Sequence, residues 1–414
     1  MQIDLYKKIT MSLLKSCRIC SSQDFEEVLD LGNQPWCNNF LKEDEVGKEI
    51  FYPLLVVLCN KCKVSQLNYT VKKEIMFGDH TYLSGVTSSL SMHFKHIRDE
   101  IINKFQIKNK RKILDVGSND GTFLKHFKDI NWDVLGVESS KKISQIANQN
   151  KINTLNKFFN FEVSKEINEK FDFINASGVF FHLEELHSFT EGIKHLLKDD
   201  GVFIVQFLYM KSIIENTAFD QIYHEHLLYY NLSTLSKLLE IYDLEIFDAK
   251  LHEIHGGQMT AYISKKNTQK KTEDLKFYET QEKIKNINDI QTYINFKKKI
   301  KLLKKKNQDF IYNSLSKNKL IFGMGAPAKG NTLLNYFKFT QKEISKLVEI
   351  NPLRKNLYSP GSHIQIELEK ELDQVPDIYY VLAWNFKKEI LKNNKHLHKK
   401  GVEFYFPINV GSDS

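Results

Sequence analysis

The segment 111–127, RKILDVGSNDGTFLKHF, constrains the fold of this chain more than any other. Apolar residues in 113–116 predict a buried strand, and an amphipathic helix is predicted to begin at Thr122. Gly117 and Gly121 bracket a tight turn, which lets a ligand approach the backbone at the carboxyl end of the first strand. The segment therefore predicts a doubly wound α/β domain with a cofactor loop.

Two acidic residues stand where such a domain holds its cofactor. Asp115 precedes the turn, and Glu138 ends a second predicted strand in WDVLGVESS (132–140). An acidic residue at the end of that strand can hold ribose hydroxyls, as it does in dinucleotide-binding folds. The spacing D-x-G-x-N-x-G lacks the G-x-G-x-x-G of a dinucleotide fingerprint, so the turn is a weaker match to pyrophosphate binding.

This pattern resembles motif I and the second-strand acid of class I S-adenosylmethionine-dependent methyltransferases. KFDFINASGVFFHL (170–183) fits their fourth strand, and LLKDDGVFIVQF (196–207) fits the helix, turn and strand near their fifth. The alternative is another doubly wound nucleotide-binding domain. The resemblance implies S-adenosylmethionine as the cofactor. The residues that it implies in cofactor binding are Asp115, Gly117, Asn119, Asp120, Gly121, Glu138, Ser139, Ala176 and Ser177.

Four of the five cysteines form two C-x-x-C pairs, Cys17 with Cys20 and Cys59 with Cys62. Each pair can form a turn that directs both thiolates at one centre, and two such turns brought together by a hairpin give a tetrahedral Zn²⁺ site. Four thiolates leave no open position for a substrate, so the predicted role is structural. Disulfides and a redox motif are the alternatives. A cytoplasmic location disfavours disulfides, and neither pair has a thioredoxin-like strand–helix setting.

The gap between the two pairs is long enough to need structure of its own. EEVLDLG (26–32) and YPLLVVLC (52–59) predict two strands within it. Cys37 lies in this gap without a partner and is expected to be a buried small hydrophobe. The N-terminal part of the chain is therefore predicted to be a zinc-binding module.

The stretch DQIYHEHLLYY (220–230) offers groups for proton transfer or for metal binding. His224 and His226 are two residues apart, so a helix would point them in different directions. A strand would place them on one face, but no third ligand is evident and H-E-x-x-H spacing is absent. Methylation at carbon needs a base to remove the proton beside a ketone and a donor to stabilise the enolate oxygen. The stretch offers both kinds of group.

Several long segments resemble the sugar-nucleotide C-methyltransferases, which methylate C-3 of 4-keto-deoxyhexoses, as in the tetronitrose pathway. YHEH (223–226) resembles their Y-H-E-H motif, SNDG (118–121) resembles their cofactor loop, and the cysteine pairs resemble their zinc module. Further matches, in the same order along the chain, are HGGQMTAYI (255–263), GMGAPAKGNTLLNYF (323–337) and NPLRKNLYSPGSHIQI (351–366). The resemblance covers nearly the whole chain.

This resemblance implies a role for each matching residue. His226 is expected to be the base that removes the C-3 proton, with Tyr223 and Glu225 orienting it or binding the sugar. His182 matches a histidine that lies near the ketone, and Tyr82 matches an active-site tyrosine. The residues implied in substrate binding are His224, His255, Gly256, Lys329, Asn331 and His363.

Two positions depart from the family pattern. Gly178 stands where the family often has Asn, and Thr260 stands where it often has Arg. The loss of an amide and of a cation implies a different sugar, a different nucleotide or a changed proton relay. The reaction class is therefore a firmer expectation than the substrate.

Residues after 265 predict a lysine-rich helical linker and then a second Rossmann-like unit. NKLIFGMGAPAKGNTLLNYF (318–337) is again a strand, a glycine-rich turn and a helix, and the next strand ends near Glu349. The turn has no good dinucleotide fingerprint, but Lys329 can meet a diphosphate there. We expect this unit to bind the nucleotide diphosphate of the substrate. A structural turn that caps a helix is the alternative.

A chain of 414 residues is too long for one compact core. The motifs divide it into a zinc-binding module (1–75), a methyltransferase domain (76–265) and a linker with a nucleotide-sugar-binding unit (266–414). Much of the net charge of +8 lies in SKKNTQKK (264–271) and FKKKIKLLKKKN (296–307). Helical spacing in the second indicates the solvated face of an amphipathic helix, and attraction of a polyanion is the alternative.

Neither a membrane span nor a signal peptide is evident in the sequence, so we expect a cytoplasmic protein. The predicted function is C-methylation of an NDP-4-keto-6-deoxy sugar at C-3, in branched deoxysugar biosynthesis. The expected protein is a monomer that binds neither nucleic acid nor membrane. The alternatives are O- or N-methylation of a sugar nucleotide and a zinc-containing nucleic-acid methyltransferase.

Overall fold

The computed structural model describes residues 11–77, 84–86, 88–252 and 256–408. In this part of the chain the strands form a four-stranded, a seven-stranded and a five-stranded sheet, together with a two-stranded pair. Buried apolar side chains from all three larger sheets join in one continuous cluster. The described helices include none that is long and apolar enough to cross a lipid bilayer.

The N-terminal module is built on an antiparallel hairpin. Its elements are β1 (Met11–Leu13), β2 (Phe25–Pro35), β3 (Phe51–Cys59), β4 (Ser65–Leu67), β5 (Tyr69–Val71) and α1 (Lys73–Phe77). Strand β2 pairs with β3 and β3 with β4, while β1 pairs with β5. The two predicted strands, 26–32 and 52–59, are confirmed within β2 and β3, where side chains such as Val56 and Leu58 are buried.

The central unit has eight strands and seven helices within the described residues. The strands are β6 (Lys112–Val116), β7 (Asp133–Glu138), β8 (Thr154–Asn156), β9 (Phe171–Ser177), β10 (Leu197–Leu208), β11 (Leu228–Tyr229), β12 (Leu244–His252) and β13 (Gln258–Lys265). The helices are α2 (Ser88–Lys104), α3 (Thr122–Lys128), α4 (Lys141–Gln149), α5 (Phe161–Ile167), α6 (Leu186–Leu196), α7 (Met210–Glu215) and α8 (Leu232–Glu240).

The seven-stranded sheet has the order β12-β13-β10-β9-β6-β7-β8. All neighbours from β10 to β8 are parallel, and β13 is antiparallel to both β10 and β12. The carboxyl ends of β6, β7 and β9 therefore lie at one edge, where ligands bind in open α/β sheets. The strand expected over 170–183 ends at Ser177, because Gly178 adopts a φ of 72° and turns the chain.

The C-terminal unit is a second α/β layer. Its elements are α9 (Glu273–Ile284), α10 (Ile290–Leu315), β14 (Ile321–Met324), α11 (Ala328–Phe337), β15 (Leu347–Glu349), β16 (Ile366–Leu368), β17 (Ile378–Val381), α12 (Lys387–Asn393), α13 (Lys395–Lys399) and β18 (Glu403–Tyr405). The five strands are parallel in the order β16-β15-β14-β17-β18. The amphipathic lysine-rich helix is confirmed in α10, where Phe296 and Ile300 are buried while the lysines at 297–299 are exposed.

One short strand joins the central unit to the N-terminal module. Strand β11 comes directly after the YHEH stretch, yet it pairs with β4 and completes the four-stranded sheet of the module. The Leu67 amide also donates to the Leu227 carbonyl at 3.0 Å. The stretch 223–226 therefore leads directly into a strand of the module, while the Leu227 amide also donates to the Phe181 carbonyl, after β9, at 2.8 Å.

Candidate active site and metal site

The four paired cysteines converge at the end of the N-terminal hairpin. Their sulfur atoms all lie within 4.8 Å of one another. The Cys17 and Cys62 sulfurs are 3.4 Å apart and those of Cys20 and Cys59 are 3.5 Å apart, well beyond a disulfide bond. The hydrogen bond with Cys62 is the main cause that lowers the pKa of Cys17 to about 4. This all-sulfur donor set fits a structural Zn²⁺ ion, which four thiolates would enclose completely.

Two polar side chains support this metal site from outside. The Gln66 amide donates to the Cys17 sulfur at 3.2 Å. The Arg18 guanidinium donates to the Leu67 carbonyl at 2.7 Å and to the Thr70 hydroxyl at 2.7 Å. The hydrogen bonds orient the ligand residues against strands β4 and β5, as outer partners do in metal sites.

The cofactor loop after β6 needs both of its glycines. Gly117 has a φ of 75°, and a Cβ there would lie 2.3 Å from a Val179 methyl carbon. Gly121 has a φ of 80°, and a Cβ there would lie 2.9 Å from Ile152. Left-handed backbone without side chains leaves the turn open to close approach by a ligand.

Acidic side chains surround this loop. The Asp115 carboxylate is buried and accepts from the Asn175 amide at 2.7 Å; burial raises its pKa to about 7. The Glu138 carboxylate accepts from the backbone amide of Asn119 at 3.0 Å and from the backbone amide of Ser140 at 2.8 Å. Glu138 therefore ties the end of β7 to the glycine-rich turn.

The loop also holds the chain that enters the central unit. The Asn119 side-chain oxygen accepts from the Ser84 amide, and the Asp120 carboxylate accepts from the Gly85 amide, each at 2.8 Å. The short 3₁₀ helix Ser84–Val86 follows the segment that contains Tyr82, which lies outside the described residues.

Polar groups at this edge fit a cofactor with hydroxyl and charged groups. The Ser118 and Ser140 hydroxyls are buried and have no hydrogen-bond partner among the described residues. Ser139 donates to Glu138 at 3.3 Å, and Ala176 and Ser177 end the neighbouring strand β9. Residues predicted from three separate segments thus meet at one sheet edge.

Two other predicted catalytic residues, Tyr223 and His182, lie around the imidazole of His226. Its ring centroid lies 3.7 Å from that of Tyr223 and 5.1 Å from that of His182. The His226 Nδ1 atom lies 2.6 Å from the Gln221 carbonyl oxygen. Because a carbonyl can only accept, Nδ1 carries a proton, and the neutral ring keeps its lone pair on Nε2. This tautomer provides a base.

Glu225 and His182 are held by different neighbours. The Glu225 carboxylate oxygen Oε1 accepts from the Trp36 indole at 2.5 Å and from the Asn38 amide at 2.8 Å. The His182 Nδ1 atom donates to the Glu225 backbone carbonyl at 2.5 Å. Sequence analysis missed Trp36 and Asn38 as donors to Glu225, because they come from the N-terminal module.

His224 points away from this cluster. It is 1% exposed, donates from Nε2 to the Pro53 carbonyl at 3.3 Å, and packs edge-on against Tyr52. Burial lowers its pKa to about 4, so the ring is neutral. The structure thus does not bring His224 together with the other histidines of the site.

Lys329 lies close to Asp220, the first residue of the stretch 220–230. Its Nζ atom is 4.0 Å from the Asp220 carboxylate and 3.7 Å from the Trp384 ring centroid. Burial lowers the Lys329 pKa to about 8. The Trp384 indole donates to Asp220 at 2.6 Å, and Gly256 leaves room for that indole, since a Cβ there would lie 2.5 Å from it.

Asn331 and His363 connect the C-terminal unit to the N-terminal module. The Asn331 amide donates to the Cys37 carbonyl at 2.7 Å, and Cys37 is buried as expected. His363 Nε2 lies 2.5 Å from the Glu49 carboxylate, which also accepts from the Gly361 amide. His255, another predicted substrate residue, lies outside the described residues.

Comparison with protein families assigns every unit of the chain. Residues 17–77 match a domain described as "Putative zinc binding domain", residues 93–249 match a methyltransferase domain, and residues 253–409 match a C-methyltransferase C-terminal domain. Fold and site together define an S-adenosylmethionine-dependent methyltransferase that carries a zinc-binding module.

The chain is 27% identical over 401 residues to the C-methyltransferase NovU of Streptomyces niveus, and the match covers 95% of this chain and 96% of that protein. Its similarity to this C-methyltransferase spans nearly the whole chain, and the three domain matches follow one another along it.

Two solved methyltransferase structures each overlap with less than half of the chain. The plantazolicin methyltransferase BpumL in complex with SAH has a TM-score of 0.35 at 16% identity, covering 42% of this chain and 82% of that one. An S-adenosylmethionine-dependent methyltransferase from Clostridium acetobutylicum has a TM-score of 0.36 at 15% identity, covering 47% and 96%. These partial overlaps add nothing to the assignment.

Proposed function

We propose that this enzyme methylates C-3 of an NDP-linked 4-keto-6-deoxy sugar, with His226 as the base that removes the C-3 proton. The observation that carries the proposal is the hydrogen bond of His226 Nδ1 to the Gln221 carbonyl. It favours the tautomer whose Nε2 accepts a proton, and it persists when the ring becomes a cation. A base of this kind is needed for a carbon acceptor.

The enolate formed by proton removal needs a donor at the ketone oxygen. Burial and the Glu225 charge raise the pKa of Tyr223 well above its usual value, so its phenol stays protonated. Tyr223 can therefore donate to a sugar oxygen. His182, whose Nδ1 is committed to the Glu225 carbonyl, presents its Nε2 as a second polar group in the same cluster.

The cofactor residues then complete the reaction geometry. S-adenosylmethionine supplies an electrophilic methyl group on its sulfonium sulfur. We place its binding on Asp115, Glu138 and the loop between Gly117 and Gly121, with Ser139, Ala176 and Ser177 beside it. The enolate carbon would take the methyl group as the sulfur–methyl bond breaks and S-adenosylhomocysteine leaves, and the proton removed from C-3 would stay on His226 until it passes to solvent.

The C-terminal unit is proposed to bind the nucleotide. Lys329 is a buried cation whose Nζ has no hydrogen-bond partner in the described part of the chain, and a diphosphate would satisfy it. Gly256 lies against the Trp384 indole, and Asn331 is on the same helix as Lys329. We propose a free nucleotide sugar in the cytoplasm as the acceptor and a monomeric enzyme.

The test is incubation with ¹³C-methyl S-adenosylmethionine and a panel of 4-keto-6-deoxy sugar nucleotides, followed by NMR of the product. A labelled methyl group on a quaternary sugar carbon supports the proposal. A labelled methyl on oxygen would make His226 a hydroxyl base and refute carbon transfer. Absence of transfer to every sugar, with S-adenosylmethionine still bound, would refute the proposed substrate class.

A further inference from the structure

We infer that Trp36 and Asn38 of the N-terminal module are positioning residues for methyl transfer and act through the carboxylate of Glu225. The inference rests on the proposed function of the YHEH stretch. It assigns to the zinc-binding module a part in the reaction that its metal, enclosed by four thiolates, cannot take directly.

Both donors converge on a single oxygen. The Trp36 indole and the Asn38 amide donate to Glu225 Oε1 at 2.5 and 2.8 Å. Glu225 is only 7% exposed, and burial by itself would favour its neutral form. Two hydrogen bonds to one carboxylate oxygen favour the ionised form instead.

An ionised Glu225 acts on the groups beside it. Its charge raises the pKa of Tyr223 and that of Cys37, in each case after burial as the larger cause. Glu225 lies between Tyr223 and His226 in the sequence. The His182 ring donates to the backbone carbonyl of Glu225. A fixed negative charge here keeps the Tyr223 phenol protonated and favours the imidazolium that proton removal creates on His226.

The two donors are themselves fixed from two sides. They lie in the turn that follows β2, where the Asn39 amide donates to the Trp36 carbonyl at 3.1 Å. The residue between them, Cys37, accepts from Asn331 of the C-terminal unit. The turn 36–39 thus contacts both the catalytic stretch and the helix that carries Lys329, so it can hold Glu225 at a constant place.

The test compares Trp36→Phe and Asn38→Ala with the control Asn39→Ala. Asn39 is the same residue type one position further on, equally exposed, and its side chain makes no hydrogen bond among the described residues. Each donor variant should lose about tenfold in kcat, the effect of removing one hydrogen bond to a charged group, with KM for the sugar little changed. The control should match the wild type.

The pH profile separates positioning from a general structural effect. Removing a donor makes the ionised form of Glu225 less favourable, so the acid limb of the kcat profile should move to higher pH in both donor variants. Cobalt substituted for zinc should give the same thiolate charge-transfer absorption in all variants, which shows an intact module. An unchanged acid limb, despite lower kcat, would overturn the inference.

A double substitution tests whether the effect passes through Glu225. In the Glu225→Gln background, Asn38→Ala should change kcat less than about twofold, since coupled residues are not additive. A full tenfold loss in that background would mean that Asn38 contacts the substrate itself, and the inference would fail. If the wild type transfers methyl to oxygen, the proposed function fails separately.

Discussion

The glycine-rich turn of the central unit and that of the C-terminal unit are built in the same way. In each, a parallel strand leads into the turn, and a glutamate ends the neighbouring strand. Glu138 accepts from the Asn119 amide of its turn at 3.0 Å, and Glu349 accepts from the Ala326 amide of the other turn at 2.9 Å. Each glutamate also accepts from the Ser140 or Asn351 amide two residues after itself.

The two turns differ in charge. The central turn is surrounded by the carboxylates of Asp115, Asp120 and Glu138. In the C-terminal turn, the first turn of α11 carries Lys329, and Arg354 lies 3.8 Å from Glu349. We propose that one backbone design serves the sulfonium cofactor in one place and a diphosphate in the other.

The largest expected effect belongs to neither turn. Replacing His226 with Gln should lower kcat by roughly 10³-fold, because it removes the general base. Calorimetric titration should still give wild-type affinity for both S-adenosylmethionine and the sugar nucleotide. A turnover near the wild-type rate would show that the base lies elsewhere.

Exchanging the two glutamates for glutamine should separate the two ligands. Glu138→Gln should weaken S-adenosylmethionine binding by about tenfold to a hundredfold, since it removes the negative charge that accepts hydrogen bonds from the cofactor. Glu349→Gln is the matched control, with the same change in the other turn. Glu349→Gln should leave the affinity for S-adenosylmethionine unchanged and weaken only the binding of the nucleotide sugar. Equal effects of both variants on both ligands would break the comparison.

Removal of the cation in the second turn should affect only the sugar nucleotide. Lys329→Ala should raise KM for that substrate by about tenfold and leave KM for S-adenosylmethionine unchanged, because one charge-assisted contact is lost. An equal change in both constants, or none, would contradict the assignment of Lys329.

The pH dependence sharpens this assignment. Lys329 is a cation below its lowered pKa of about 8 and becomes neutral above it. The ratio kcat/KM for the sugar nucleotide should therefore fall as pH rises through about 8. Lys329→Arg, which stays charged, should lack this step, and a step that persists in the arginine variant would have to come from another group.

The smallest expected effects concern two buried hydroxyls. Ser118 near the first turn and Thr332 in α11 each have a hydroxyl without a partner in the ranges that the structure describes. Ser118→Ala should weaken S-adenosylmethionine binding about fivefold, and Thr332→Val should do so for the sugar nucleotide, as expected for one neutral hydrogen bond. Equilibrium dialysis with each ligand measures both affinities. Weaker sugar-nucleotide binding by Ser118→Ala, or weaker S-adenosylmethionine binding by Thr332→Val, would contradict the prediction.

Local patterns predicted much of this architecture. The zinc ligands, the loop between Gly117 and Gly121 and the strand ending at Glu138 depend on short spacings, which sequence displays directly. The role proposed for His226 rests on the resemblance of the motif around it and stays a prediction. These features need no knowledge of which distant segments meet.

The contacts that sequence analysis missed are long-range. Trp36 and Asn38 lie far from Glu225 in the chain, and no local pattern links them to it. Strand β11 has two residues, too few for a periodic signal, so its pairing with the module could not be predicted. For the same reason the sequence does not reveal that His224, a predicted substrate residue, packs against Tyr52 and Pro53 of the module.

The pairing of β11 with β4 also has a consequence for the order of folding. A ribosome makes the N-terminal module first, but the strand that completes its sheet emerges only after most of the central unit has been synthesised. Until then β4 presents an open edge on the nascent chain, which can pair with other strands. The module is therefore translated before the central unit, but its sheet is completed only after most of that unit has been made.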